Sequence, residues 1–75
     1  MNLHLEFEKE SDGRWIAEIV ELPGVLAYGK TRTKAREAAL ALALRVLADK
    51  IEHGEFTVNG RSTKTLKHLS FVESA

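Results

Sequence analysis

The chain opens with apolar and polar residues in strict alternation. In LHLEFEKE, Leu3, Leu5 and Phe7 fall on one side of an extended strand, and His4, Glu6 and Glu8 fall on the other. That period of two is the signature of a half-buried strand. RWIAEIV repeats the alternation after SDG, and the register between the two runs decides the turn. A two-residue Asp12-Gly13 turn sets Phe7 opposite Glu18, whereas a three-residue Ser11-Asp12-Gly13 loop sets Phe7 opposite Ala17 and Leu5 opposite Ile19. Matching apolar with apolar selects the longer loop, with Gly13 in its left-handed position, because a slip of one residue turns every apolar side chain to the wrong face. The first two strands are therefore expected to pair antiparallel.

The window VELPGVLAYGKT holds the only proline, the only tyrosine and two of the five glycines. Leu22, Pro23 and Gly24 spell a turn, since proline presets its own φ and glycine accepts a positive one. VLAYG then reads as a third strand beside the second. From Thr31 the period changes: TRTKAREAALALALRVLADKIEHG is rich in helix formers, has a hydroxyl at the expected N-cap and meets Gly54 past its end. Ala35, Ala38, Ala39, Leu42, Val46 and Leu47 form its apolar stripe, and Leu40, Leu44 and Ile51 widen the stripe beyond what one sheet face covers. EFTV and RSTK around Asn59-Gly60 suit a small hairpin, although the pattern over residues 55–65 is weak, and LKHLSFVE reads as a last strand with Leu69 and Phe71 on one side.

These elements predict one α+β domain over residues 1–75: a three-stranded antiparallel meander, one long helix as a right-handed crossover, then a final strand, in the order β-β-β-α-β. The helix covers one face of the sheet. The other carries His4, Glu6, Glu8, Ile16, Glu18 and Val20, a part-apolar, part-acidic surface of the kind found at interfaces.

A chain of 75 residues builds a core whose net yield is about 3–5 kcal/mol, so a homodimer or higher homo-oligomer is expected. With no cysteine, neither disulfides nor thiolate metal sites can staple it. No apolar run reaches membrane-spanning length and no basic leader precedes the first strand, so no membrane contact and a cytoplasmic location are expected. Eleven basic and eleven acidic residues balance, which removes any general attraction to polyanions.

The acidic-glycine hairpin with its aromatic, WIAEIVELPG, followed by YGKT and KAREAALALAL, resembles the HicB family of antitoxins over roughly residues 1–52. The matching positions are Asp12, Gly13, Trp15, Ile16 and Ala17, then Leu22, Pro23 and Gly24, then Gly29, Thr31, Glu37 and Ala38. The chain departs from the family's pattern at Val20, Glu21, Val25, Lys34 and Ala35; Lys34 replaces the usual acid of the first helical turn, so the capping box is incomplete. The resemblance implies a partial RNase-H-like fold and a function of binding and occluding a cognate small, basic, mRNA-cleaving toxin, HicA-like in kind, within a type II toxin-antitoxin pair. Many members also carry a C-terminal DNA-binding module. Residues 53–75 are too few for one, so DNA contact by this chain alone is not expected.

Read for chemistry, the motifs are sparse. Glu6 facing Glu18, with Glu8 two positions along, is the one arrangement that would suit a divalent metal and RNase-H-like hydrolysis. No nucleophile elbow, phosphate loop or histidine pair at ligand spacing accompanies it, and His4, His53 and His68 are scattered. Neither catalytic residues, metal ligands nor a cofactor site are assigned. Lys30, Arg32, Lys34 and Arg36, with Arg61, Lys64 and Lys67, offer phosphate contacts but few interleaved aromatics. The leading expectation is thus an antitoxin, not an enzyme, whose partner-binding residues are Glu6, Glu8, Trp15, Glu18 and Tyr28. Asp12, Gly13, Leu22, Pro23, Gly24, Gly29 and Thr31 build its scaffold. The alternatives are an orphan oligomeric interaction module, a nucleic-acid-binding domain and a metal-dependent hydrolase.

Overall fold

A computed structural model describes residues 2–53, 57–58, 61–62 and 69–73. Strands β1 (Asn2–Lys9), β2 (Trp15–Ile19) and β3 (Leu26–Gly29) precede helix α1 (Arg32–Glu52). The short strands β4 (Thr57–Val58) and β5 (Arg61–Ser62) follow, and β6 (Ser70–Glu73) completes the order. Four strands form a mixed sheet in the order β3-β2-β1-β6. β1 pairs antiparallel with β2 and β2 with β3, while β6 runs parallel to β1 and hence to β3. The β-β-β-α-β order of an α+β domain is therefore present, with α1 leaving one edge strand and the chain returning at the other edge. The hairpin expected near Asn59-Gly60 contributes two residue pairs, Thr57 with Ser62 and Val58 with Arg61; residues 59–60 themselves, like Gly54, His68, Lys64 and Lys67, lie outside the described residues.

The register is the one burial demands. Leu5 lies opposite Ile19 and Phe7 opposite Ala17, across a loop in which Gly13 has φ +91° and donates its N–H to the Glu10 carbonyl at 3.0 Å. Pro23 and Gly24 occupy the corner of the second turn, closed by the Val25 N–H on the Leu22 carbonyl at 3.0 Å. Gly24 has φ +87°. Proline followed by a left-handed glycine defines a type II turn. Leu22 and Val25, its two ends, are buried in the core.

Gly29 is required for a different reason. A Cβ there would lie 2.3 Å from the backbone nitrogen of Ala35, because the first turn of α1 rests directly on the end of β3. Thr31 caps that turn: its Oγ1 accepts the Lys34 N–H at 3.0 Å, and no acid accompanies it in the first turn.

The core lies between α1 and one sheet face. Leu3, Leu5, Ala17 and Ile19 of the sheet meet Ala35, Ala39, Ala43 and Leu47 of the helix, all buried. The helical series repeats every fourth residue, three alanines and then a leucine, so the helix starts close to the sheet and larger volume is filled toward its C-terminal end. This corrects the expected stripe at two positions. Ala38 is exposed and Ala43 is buried, because helix-to-sheet contact is a narrow line along i, i+4 and i+8 rather than the broad band that alternate i+3 positions would make. Leu40, Leu42 and Val46 flank the line half-buried, and Leu44 and Ile51 stay exposed. Phe71 of β6 turns toward the core as expected, and Leu69 remains exposed.

Candidate functional site

The sheet face turned away from α1 is assembled by strict alternation across all four main strands. Glu6 lies opposite Glu18, and Glu8 lies opposite Ile16. Ile16 in turn faces Tyr28, and Glu18 faces Leu26. On the other side of β1, His4 is level with Val72. Glu6, Glu8 and Glu18 are exposed, as are Val20, Tyr28 and Val72. Between them a shallow depression of about 180 Å³ is lined by Glu6, Phe7, Glu8, Ile16, Glu18 and Leu26. The face is thus an apolar surface with three carboxylates near its middle.

The acids sit at positions where the ladder keeps them apart. Bonds run from the Glu10 N–H to the Arg14 carbonyl at 2.7 Å and from the Val20 N–H to the His4 carbonyl at 2.9 Å. By the alternation of antiparallel pairs, Glu6 and Glu18 then also form a hydrogen-bonded pair, the wider of the two kinds. Two like charges directly opposite still cost stability, by about 0.2–1 kcal/mol for such a pair. None of the three glutamates has an ion-pair partner among the described residues.

Two interactions frame the face. At the hairpin end, Asp12 accepts the Arg14 N–H at 3.0 Å and its Nε at 2.8 Å, and the Arg14 guanidinium lies 4.6 Å from the centroid of the Tyr28 ring. Hydrogen bonds from the Arg14 backbone and side chain hold the Asp12 carboxyl below its ordinary value. At the opposite end, Glu21 takes the His4 N–H on Oε1 at 2.7 Å and meets the His4 ring Nδ1 with Oε2 at 2.6 Å. Partial burial pushes the Glu21 carboxyl up, but the hydrogen bonds from the His4 backbone and ring outweigh it and hold the carboxyl below its ordinary value.

Four of the five expected partner-binding residues, Glu6, Glu8, Glu18 and Tyr28, share this face. Trp15 does not: it lies opposite Lys9 and Gly29 on the helix side of the sheet, half-buried against the core, with the Lys9 ammonium 6.0 Å from its ring. Leu26 and Val72 belong to the face and were missed; alternation from Tyr28 and from Phe71 would have found both. The scaffold residues Gly13, Gly24, Gly29 and Thr31 occupy the turn, contact and cap positions described above.

Among the described residues, no three His, Asp or Glu side chains are grouped so as to hold a metal ion. Two of the four cations near the helix start are engaged within the fold: Arg32 stacks on Phe7 at 4.0 Å, and Arg36 reaches Glu73 at 3.2 Å. His53 caps the helix end, its Nδ1 2.7 Å from the Asp49 carbonyl oxygen. No described helix is long and apolar enough to cross a membrane. Comparison of the chain with protein-family models, with curated proteins and with solved structures finds no match in any of the three.

Proposed function

We propose that this chain is a protein-binding module of the antitoxin kind, which neutralises a small, basic, mRNA-cleaving protein by covering it with the open face of its sheet. The observation that carries this reading is the placement of Glu6, Glu8 and Glu18, with no ion-pair partner among the described residues, amid Ile16, Val20, Leu26 and Tyr28. Apolar surface supplies affinity, and the carboxylates supply orientation toward a basic surface and speed of encounter. An RNA-cleaving protein is basic where it holds RNA, so the surface such a module would occupy is the one its partner uses for catalysis. The mechanism is occlusion and involves no chemical step by this chain. The resemblance of residues 1–52 to HicB antitoxins in motif order supports the same reading.

The test is affinity purification of the chain from its native cell at low salt, with mass spectrometry of what co-purifies. The expected result is a small basic protein at near stoichiometry, lost when Glu6 and Glu18 are both replaced by lysine. That protein alone should cleave RNA, and added chain should stop the cleavage. Recovery of the chain alone assigns it instead to self-associating modules without a toxin.

A further inference from the structure

The fold has a second apolar surface, on the helix side of the sheet. α1 packs on β3 and β2, and along its flank toward β1 and β6 an open groove of about 500 Å³ is lined by Leu5, Arg36, Glu37, Leu40, Phe71 and Glu73. Leu44 and Ile51 follow Leu40 by four and eleven residues, which keeps them on the same flank. They are 50% and 46% exposed, although both are large and aliphatic.

The two apolar surfaces differ in charge. The open sheet face carries three carboxylates of one sign, so two copies brought face to face would set six against each other. The groove carries both signs: Arg36 pairs with Glu73 at 3.2 Å, Glu37 lies beside them, and Arg32 adjoins Arg36 and Glu73. A two-fold contact places the same patch against itself, so a self-pairing surface must be self-complementary. The groove meets that condition, because a cation of one copy can meet a carboxylate of the other across the apolar strip, whereas on the sheet face the three carboxylates lie near the middle and Arg14 is held at the hairpin end by Asp12.

From this difference we propose that the Leu40–Leu44–Ile51 flank of α1 and the adjoining groove form the surface by which two copies of this chain associate, leaving the acidic sheet face of each copy outward. Leu44 of one copy fills apolar space beside Leu40 and Phe71 of the other, and the charged rim fixes orientation. The proposal does not depend on the antitoxin reading, since it concerns a different face and a different occupant.

The experiment is sedimentation velocity of the purified full chain over the micromolar range. The wild-type chain should sediment as a dimer, and L44K should weaken the dimer by about tenfold or more. V20K, which places a cation on the open sheet face, should leave the dimer intact. Leu44 is half exposed, so L44K should fold, as circular dichroism will report; L44A, which removes only apolar atoms, gives the same comparison if it does not. A wild-type monomer throughout the range overturns the proposal, as does a dimer broken by V20K but not by L44K or L44A.

Discussion

The Glu21 carboxylate completes a ladder rung that the backbone leaves open at His4. In the register of β1 with β2, His4 faces Val20, and the Val20 N–H bonds the His4 carbonyl at 2.9 Å. The reciprocal bond would run from the His4 N–H to the Val20 carbonyl, but the chain is already turning toward Pro23, and Glu21 Oε1 accepts that N–H instead at 2.7 Å. A side chain thus continues the sheet past the end of its strand, and its second oxygen fixes the His4 ring beside the open face.

The rung makes stability depend on pH in a definite direction. The native Glu21 carboxyl holds its proton less tightly than the unfolded one, whose ordinary value is 4.5. Its contribution is therefore complete above that value and is lost as pH falls through the lower native value. Glu21→Gln should cost about 1–2 kcal/mol at neutral pH and flatten the loss of stability on acidification. Urea unfolding of both proteins between neutral pH and the acid range checks this; parallel curves would show that the carboxylate is not the group responsible.

Gly29 should tolerate no side chain. A methyl group 2.3 Å from the Ala35 nitrogen forces the helix start away from β3, at a cost of about 3 kcal/mol for Gly29→Ala. Gly24→Ala also destabilises, but through its positive φ, since nothing lies within 4 Å of a Cβ there. The two should separate in denaturation midpoints, and equal small effects would mean that the α1–β3 contact relaxes without strain.

The carboxylate pair predicts a conflict between stability and function. Glu18→Lys replaces a like-charge pair with Glu6 by an opposite-charge one, which should raise stability by about 0.5 kcal/mol. The same change should weaken capture of a basic partner. A variant that is more stable yet binds worse separates retained function from folding; unchanged binding would remove Glu18 from the interface.

Adjacent alanines in α1 should respond oppositely to added volume. Ala39→Leu forces three carbons into a fully buried site and should cost about 1–3 kcal/mol. Ala38→Leu adds them to an exposed position and should stay within about 0.5 kcal/mol of wild type. Thermal unfolding of the pair reads the helix's rotation against the sheet.

Much of the fold is local and so was readable in the sequence. Alternation in LHLEFEKE and WIAEI specifies a register because only one pairing buries every apolar side chain, and Leu22-Pro23-Gly24 and Thr31 act through backbone angles and a hydrogen bond three residues away. The acidic face was legible for the same reason, since Glu6, Glu8 and Glu18 alternate with the core residues. What the sequence could not supply is the relation between elements distant along the chain. Which alanines of an Ala- and Leu-rich helix are buried depends on its rotation over the sheet, and several rotations satisfy the pattern nearly equally. Trp15 stands two residues before Ala17, so alternation alone already puts it on the helix side, as its pairing with Lys9 and Gly29 shows; naming it a partner contact overrode that period. Glu21 as a ladder acceptor, Arg14 over Tyr28 and the groove between α1 and β6 arise only when side chains from separate elements meet in space. Periodicity determined which residues share a face; tertiary packing decided what each face meets.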